Sequence, residues 1–456
     1  MFGKANFERC FASCLDEDIL KPSQTINSSQ CITYNALASR ITKNVFVHQV
    51  GSTVIAQGVT LLLSLATSAI TARWLGPSGK GQLAMIFMVP AMFQMFLGAG
   101  LGPANVYYVG SGRLPVHQLT ANSVAFSMIG TLVGVMVVLL ILMGDFLHVL
   151  FPGVSSDYLM LGMVALPIGL LNSNLNSILQ GLQRIITLNI LTVVGSLLTV
   201  LFMAALVIGL EFGILGALLA VLAVQVAMLF ATGQCAKREG ACFRPKWDSQ
   251  VVRTTLMYGL KCYIANLLQF FNYRLDVFIV NFILGPVSVG IYGVSVVMAE
   301  LLWQLPNAAS FVIFPKSANS NQEAMNSFTP QVFRIILAIT ILGAIGLALF
   351  GKLIILVVFS SVFLDAYIPL LALLPGVVLL GAGKVLANDI AGRGYPHYNS
   401  ITSGLSLVVT IILDLILIPK MGVVGAALAS TVSYALTFFI SVGFYLSVSR
   451  IKHVHV

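Results

Sequence analysis

Twelve apolar stretches, each long enough to cross a bilayer as a helix, follow one another through most of this chain. Roughly 20 helical residues cross the hydrocarbon core, and a helix satisfies its own backbone hydrogen bonds there. The sequence therefore predicts an all-α polytopic membrane protein. The predicted spans are 45–72, 83–108, 121–147, 158–182, 186–209, 213–235, 254–284, 288–313, 328–356, 366–391, 397–418 and 422–448.

The composition agrees with this fold class and excludes others. Of the 456 residues, 58% are hydrophobic and only 9% are charged, whereas a soluble domain has about 25% charged residues. A soluble enzyme and a disordered chain are excluded. The formal net charge of +9 is assigned to membrane-flanking loops, so membrane lipids are the expected partners and nucleic acid is not.

Residues 1–44 differ from the rest because they hold several charges and no apolar run. They are interpreted as a disordered cytosolic tail or as a start site placed too early, and a docking role is the alternative. The remaining chain divides into an N-terminal lobe at 45–235, a basic cytosolic linker at 236–253 and a C-terminal lobe at 254–456. The cysteine spacings contain no zinc pair and the histidines are scattered, so neither a metal site nor a bound cofactor is expected.

The distribution of Lys and Arg among the loops predicts the orientation. Fourteen bases fall on one side of the predicted bundle, including the 236–253 linker, and four fall on the other side, namely Arg73, Lys80, Lys352 and Lys420. Cytoplasmic loops carry the excess of positive charge. We therefore expect a multi-pass membrane protein with both termini in the cytosol.

The two halves repeat with one offset. Residues 75–81 read LGPxxxG, and residues 284–290 read the same, 209 positions later. Near the end of each half, 213–220 resembles 422–429 at the same offset. Six helices per half place both halves in the same orientation, as in parallel transporter repeats. The sequence thus predicts two six-helix lobes, with the glycines serving turns and close helix packing.

Polar residues follow one face of the first helix, and the repeat tests their meaning. Adding 209 to Gln57 and Thr60 gives Asn266 and Gln269 on the equivalent seventh helix, and both are polar. Ser and Thr alone can satisfy their own helix carbonyls, which is the alternative reading of such a stripe. We predict a hydrated cavity between the lobes. Its expected polar lining is Gln57, Thr60, Asn176, Gln180, Asn266, Gln269, Asn272 and Tyr273.

Charges within the predicted spans lie mostly in the second half. A charge at the bilayer centre costs about 3 kcal/mol on insertion scales, so its presence suggests a role. Lys261, Arg274 and Lys384 are predicted to bind an anionic substrate such as a diphosphate, Arg bidentately and Lys as a point charge. Asp276 and Glu300 are candidates for a coupling proton or sodium ion.

Structural alternatives remain for these acids. Asp276 can pair with Lys261 or Arg274, and both acids can simply balance charge. Asp389 and Arg393 are read as an ordinary i, i+4 pair at a helix end. Asp414 is read as close enough to a helix end to reach the interface.

Four ordered motifs resemble the polysaccharide (O-antigen, Wzx-type) flippases, within the multidrug/oligosaccharidyl-lipid/polysaccharide exporter superfamily. They lie at 72–81, 275–286, 290–308 and 417–426, and the resemblance covers about 45–450. It implies transfer of undecaprenyl-diphosphate-linked oligosaccharide from the cytosolic to the outer leaflet of the bacterial inner membrane by alternating access between two lobes. A polysaccharide polymerase and a chain-length regulator are the implied protein partners.

Two other functions are weighed against this one. A multidrug or cation exporter of the same superfamily is expected to have an acid-rich cavity, whereas here bases and acids within the spans are balanced. A membrane-embedded polysaccharide polymerase or ligase is expected to have a large outer loop with catalytic residues, which the predicted spans do not leave room for. The chain is accordingly expected not to be an enzyme.

Overall fold

A computed structural model describes residues 28–143, 151–319 and 322–450. The first-half helices are α1 (Ser28–Leu97), α2 (Leu101–Gly110), α3 (Val116–Met143), α4 (Ser156–Gly162), α5 (Ala165–Gly181), α6 (Ile185–Met203) and α7 (Gly213–Arg238). The second-half helices are α8 (Ser249–Leu284), α9 (Pro286–Glu300), α10 (Gln304–Asn319), α11 (Gln322–Ile354), α12 (Tyr367–Gly392), α13 (Pro396–Met421) and α14 (Val423–Arg450). By internal contacts the chain forms two units, Met1–Gly51 and Ser52–Val456.

The helix that begins at Ser28 includes part of the segment expected to be a tail. Residues 28–44 contain neither Gly nor Pro, which favours helix there. Residues 1–27 lie outside the described residues. The transmembrane bundle belongs to the second unit.

Within the described residues, eleven helices are long and apolar enough to cross a membrane. One of them, Gly51–Leu97, has 47 residues and bends at Gly76. It covers most of the first predicted span and the first part of the second, which continues in α2. The twelve-span, all-α prediction is therefore confirmed, with six spans in each half.

The repeated LGP motif takes the same backbone conformation in both halves. Gly76 has φ 67° and ψ −176°, and Gly285 has φ 79° and ψ 178°. Both angles lie outside the range that side-chain-bearing residues adopt readily, which explains glycine at this position. In each half a proline comes next and opens the following helical segment, as its fixed φ favours.

These two motifs also contact each other across the halves. A Cβ atom on Gly81 would collide with the carbonyl oxygen of Pro286, and one on Gly290 would collide with that of Pro77. Pro77 and Pro286, like Gly81 and Gly290, are related by the offset of 209. We call this reciprocal contact the LGP contact, and the end of the bundle where it lies the motif end. The halves are in backbone contact there.

The opposite end, where residues 239–248 join the halves, is called the linker end. The Asp248 N–H donates to Asn122 Oδ1 at 2.9 Å, and Gln118 Nε2 donates to Asp248 Oδ2 at 3.1 Å. Asp248 also accepts hydrogen bonds from the backbone at the start of α8 and so caps that helix. One carboxylate thus ties the first half to the first helix of the second.

Along one side of the bundle α2 packs against α8. Gly100 and Gly259 bring the two backbones into contact, and the rings of Tyr107 and Tyr258 stack with centroids 4.4 Å apart. The apolar core runs through both halves. Its largest buried side chains include Met85, Ile86, Leu166, Tyr292, Phe359 and Phe363.

Candidate functional site

A cavity of about 540 Å³ lies between the halves around Lys384. It is lined by Gln57, Gln269, Asn307, Ser310, Phe314, Lys384 and Asn388, and we call it the Lys384 cavity. Gln57 comes from α1 and the other residues from α8, α10 and α12. All but one of these residues are polar or charged. Such a surface suits a hydroxyl-rich or anionic ligand.

Lys384 is oriented in this cavity by neutral groups. Its ammonium donates to Asn307 Oδ1 at 3.0 Å and lies 4.1 Å from the centroid of the Trp303 ring. The ring is fixed because Trp303 Nε1 donates to the Val377 carbonyl at 3.1 Å. In the described part of the chain no carboxylate lies within 4.0 Å of Lys384. The charge is therefore positioned without a bound counter-charge.

A smaller cavity of about 240 Å³ adjoins this one and shares Gln269, Lys384 and Asn388 with it. Its lining also includes Asn266, Asn272 and Tyr273. The structure thus brings the four predicted polar residues of α8 to the cavities that contain Lys384.

Three of these four residues also form hydrogen bonds within the protein. Asn272 is buried and accepts hydrogen bonds from Thr410 at 2.9 Å and Ser433 at 3.2 Å. Gln269 donates to the Tyr273 hydroxyl at 3.0 Å. Asn272 therefore helps to join α8 to α13 and α14, in addition to lining the smaller cavity.

Arg274 faces a different cavity, of about 550 Å³, which we call the Arg274 cavity. Residues of both halves line it, and its polar members are Ser64, Thr67, Ser68, Thr71, Lys80, Ser196, Thr199 and Arg274. Arg274 Nη1 lies 3.5 Å from Glu300 Oε1. Glu300 is therefore paired with Arg274, and Asp276 has no basic partner within 4.0 Å among the described residues.

Lys80 is a cavity residue that the apolar pattern of the sequence places in a loop. The chain resumes helical geometry at Pro77, so Lys80 lies within α1 and points toward the polar stripe of its first segment. Its ammonium donates to Ser68 Oγ at 2.7 Å and to the Ser68 carbonyl at 3.1 Å. Reading Gly-Pro as the start of a loop concealed this side chain.

Asp276 points into the interior of the second half. It is buried, and its Oδ2 accepts hydrogen bonds from the Tyr292 hydroxyl at 2.6 Å and from Ser430 at 3.2 Å. Its Oδ1 accepts from the Val277 N–H at 2.7 Å. Arg274, one of the two partners considered from the sequence, is not within 4.0 Å of this carboxylate; the pairing with Lys261 stays a prediction.

Asp414, on the neighbouring α13, is fully buried, so its expected position near the interface is wrong. The helix continues to Met421, which leaves the carboxylate well inside it. Neither of its oxygens has a hydrogen-bond partner in the described part of the chain. Asp414 and Asp276 also interact electrostatically. Asp276 and Asp414 are thus both buried in the second half, but only Asp276 has hydrogen-bond partners among the described residues.

The sequence does contain a signal for the burial of Asp414. Thr402, Ser406, Thr410 and Asp414 recur at intervals of four on α13, and all four are buried. Such spacing keeps polar groups on one helix face. The stripe forms an internal polar layer of the second half.

In the first half the predicted polar residues are dispersed. The Thr60 hydroxyl is buried and has no hydrogen-bond partner among the described residues. Asn176 is half-buried and Gln180 exposed, and neither is among the residues lining the cavities above. The buried polar residue of α5 is instead Asn174, which bonds Asn105 at 3.3 Å and Ser127 at 3.1 Å. It joins α5 to α2 and α3.

Two further charged residues considered from the sequence are Lys261 and Asp389. The side chain of Lys261 lies outside the described residues, although its backbone belongs to α8. Asp389 pairs with Arg393 at 2.8 Å, as the sequence indicated, and also accepts a hydrogen bond from Ser317 at 2.5 Å.

Residues 46–321, more than half of the chain, match the family described as polysaccharide biosynthesis protein. The chain belongs to this family. This confirms the resemblance drawn from the four motifs, and it places the cavities described above in a polysaccharide biosynthesis protein.

Two relatives of this polysaccharide biosynthesis protein match part of it. A protein of Haloferax volcanii named probable low-salt glycan biosynthesis flippase Agl15 is 25% identical over 209 residues, 44% of this chain and 43% of the relative. The uncharacterized membrane protein MJ1068 of Methanocaldococcus jannaschii is 23% identical over 203 residues, 43% of this chain and 40% of the relative. The chain thus matches less than half the length of each.

Solved transporters share the fold. An inward closed conformation of the lipid II flippase MurJ aligns with a TM-score of 0.70 at 16% identity, covering 87% of this chain and 89% of MurJ. An inward-facing multidrug resistance MATE family transporter of the MOP superfamily aligns with a TM-score of 0.67 at 16% identity, covering 86% and 94%. At this identity the likeness establishes the fold and leaves the substrate open.

Proposed function

We propose that this protein moves an undecaprenyl-diphosphate-linked oligosaccharide from the cytosolic to the outer leaflet of the bacterial inner membrane, for O-antigen, capsule or exopolysaccharide synthesis. The observation that carries the proposal is the Lys384 ammonium, held between the halves by Asn307 and Trp303 without an acidic partner in the described chain. Membership of the polysaccharide biosynthesis family and the partial match to a named glycan flippase support it.

The lining of the Lys384 cavity suits both parts of such a substrate. Lys384 attracts the diphosphate as a point charge, which is strong in a site of low dielectric. Gln57, Gln269 and Asn388 present amides that both donate to and accept from sugar hydroxyls. The cavity therefore holds a charged head and a polar glycan while the prenyl chain remains in lipid.

The state of the two ends supports alternating access. The motif end is closed by the LGP contact, so a substrate can leave there only after the halves separate. The excess of loop Lys and Arg favours a cytosolic position for the linker end, and for both termini with it. We propose that substrate enters from the cytosolic side while the motif end is closed.

For energy coupling we propose the carboxylates inside the second half. A buried charge without partners is costly, so Asp414 is stabilised by binding a proton or a sodium ion. Asp276 and the Tyr292 and Ser430 hydroxyls lie in the same layer. Glu300, also a sequence candidate, is paired with Arg274, and we assign it to orienting that side chain.

The leaflet that holds the lipid-linked intermediate in a deletion strain tests this function. Accumulation on the cytosolic leaflet, reversed by the wild-type gene and not by Lys384→Gln, is expected. The matched control is Lys352→Gln, which changes an exposed lysine outside the cavities and should restore surface polysaccharide. Accumulation of unpolymerised units on the outer leaflet would instead indicate a polymerase or ligase. Drug sensitivity with normal polysaccharide would indicate a multidrug exporter.

The proposal also implies neighbours in the membrane. A polysaccharide polymerase must consume the flipped unit, and a chain-length regulator is the further partner that we propose. Copurification of either with the full chain from native membranes is the direct measurement.

A further inference from the structure

The Arg274 cavity holds two basic side chains from opposite halves of the protein, Lys80 from α1 and Arg274 from α8. None of the described residues that line this cavity is acidic. The remaining polar lining consists of Ser and Thr hydroxyls, and the rest is apolar. An anion entering this space therefore meets the positive charges of Lys80 and Arg274, while most of the lining hydroxyls already donate to carbonyls of their own helices.

Lys80 is the less expected of the two charges. Its ammonium contacts Ser68 and, at 3.4 Å, the Thr71 hydroxyl, and it lies 5.8 Å from the centroid of the Phe359 ring. In the described part of the chain no carboxylate lies within 4.0 Å of it. Burying a cation among neutral groups is unfavourable unless an opposite charge arrives.

Arg274 and Lys384 lie at successive depths in the protein. Gln269 lines the Lys384 cavity, and Arg274 comes five residues later on α8, which is about 7.5 Å along a helix axis. The direction is from the linker end toward the motif end. Glu300 contacts Arg274 and interacts electrostatically with Lys384, so one carboxylate stands between the two basic positions.

We infer that Lys80 and Arg274 form a second anion site, which binds the diphosphate after it has left Lys384. This inference rests on the proposed function for the identity of the ligand. Arg274 binds the diphosphate through its planar guanidinium, and Lys80 supplies a point charge from the facing half. As the diphosphate binds, Arg274 exchanges the Glu300 carboxylate for phosphate oxygens. The substrate then lies next to the LGP contact, ready to leave when that end opens.

Binding of inorganic pyrophosphate to the purified full-length protein in nanodiscs tests the second site directly. We expect two classes of site, of which Lys80→Gln removes one, Lys384→Gln removes the other, and the double substitution removes both. Loss of one charged donor should weaken the affected site about tenfold or more. Lys352→Gln is the control and should bind as the wild type does.

Two substitutions separate anion binding from a purely structural role. Lys80→Gln keeps a hydrogen-bond donor for Ser68 but removes the charge, whereas Lys80→Arg keeps the charge with altered geometry. If Lys80 binds the anion, Arg retains most of the pyrophosphate affinity and Gln does not. If Lys80→Gln binds pyrophosphate as tightly as the wild type, the second site is overturned.

Flipping of a fluorescent lipid-diphosphate oligosaccharide by the same variants in proteoliposomes separates failure of this inference from failure of the proposed function. Slower flipping by Lys80→Gln, with wild-type flipping by Lys352→Gln, supports both. Normal flipping and normal pyrophosphate binding by Lys80→Gln overturn the second site alone. Absence of flipping by the wild type, with pyrophosphate binding that depends on Lys80, overturns the substrate and leaves the anion site in place.

Discussion

At positions related by the offset of 209, the two halves differ in chemistry. The first half carries Leu83 and Val221 where the second half carries Tyr292 and Ser430, the two hydroxyls that contact Asp276. Leu83 and Val221 belong to an apolar cluster with Met203, Val207, Ala217 and Ala220. The same six-helix arrangement thus packs with hydrocarbon in one half and with a polar layer in the other.

The charges differ in the same way. Lys384, Arg274 and Glu300 correspond by the offset to Leu175, Leu65 and Ala91. Because the first half folds without these charges, the fold does not require them. Their cost in a membrane is therefore evidence of a role in transport, and the first half adds Lys80 to that set.

Substitutions in the LGP contact, where the two halves are equivalent, should have the largest effect. Gly81→Ala and Gly290→Ala each place a Cβ against a backbone carbonyl, and such overpacking costs about 1–3 kcal/mol. The population of the state in which the motif end is closed should therefore fall, by about tenfold or more. The measurement is labelling of Ser196→Cys, in a variant without other cysteines, by an impermeant thiol reagent applied from the motif end. Labelling should accelerate equally in both variants.

Gly346→Ala is the control for this pair, because a Cβ there meets no atom within 4 Å. It should label at the parent rate. Faster labelling with only one of the two motif substitutions would show that the LGP contact is not equivalent in the two halves.

The next test replaces two second-half carboxylates with the residues at the equivalent first-half positions. Asp276→Thr and Asp414→Ala introduce the residues found at Thr67 and Ala205. Transport should lose its dependence on a proton or sodium gradient, and coupling energies of this kind correspond to a change of about fivefold to 150-fold. Thermal stability should stay equal or rise in Asp414→Ala, because a buried carboxylate without a partner among the described residues has been removed. It should fall in Asp276→Thr, because the buried Tyr292 hydroxyl loses its acceptor. Gradient-dependent uptake that survives both substitutions would assign coupling to other groups.

Lys384→Leu, the residue at first-half position Leu175, should have a somewhat smaller effect. The substitution removes the charge above Trp303 and should weaken pyrophosphate binding about tenfold. Lys384→Arg retains the charge but changes the contact to Asn307. Its affinity for pyrophosphate should therefore stay above about a third of the wild-type value. Equal affinity of the Leu variant and the wild type would remove Lys384 from the site.

Asp248, which joins the halves at the linker end, should give the smallest effect. The hydrogen bond from the Val251 N–H is the main cause that lowers the pKa of this carboxyl, aided by Gln118 and the Gln250 N–H and opposed by desolvation. A lowered pKa in the folded state stabilises the protein above the unfolded-state pKa of about 3.9. This contribution is lost as the pH falls through the lower folded value. Melting temperatures at pH 7 and pH 3 should differ less in Asp248→Asn than in the wild type.

Periodicity predicted the fold well because its signals are strong and local. Long apolar runs, two Gly-Pro breaks and one repeated offset were enough for twelve spans and two related halves. The polar face of α8 was also predictable, since four residues on one helix need only helical geometry to share a direction. Lys384 was found because charge within a span is rare.

Contacts between helices were not predictable in this way. To predict that Lys80 lines a cavity, one would have to know that the helix resumes at Pro77 and that the Lys80 side chain reaches back to Ser68. To predict that Asp414 is buried, one would have to know that α8 and α14 cover α13, although the four-residue polar spacing was present in the sequence. The partner of Glu300 depended on how far Arg274 extends from its helix, which a single sequence does not contain.

The LGP contact has a consequence for the origin of the chain. A patch in which Gly81 meets Pro286 while Gly290 meets Pro77 is complementary to a copy of itself, as in the isologous interface of a symmetric dimer. Two identical six-helix proteins can associate through such a patch, so joining their genes requires no new interface. Once joined, each copy mutates independently of the other. One copy can then acquire buried carboxylates and a cavity lysine while its partner keeps hydrocarbon at the same places.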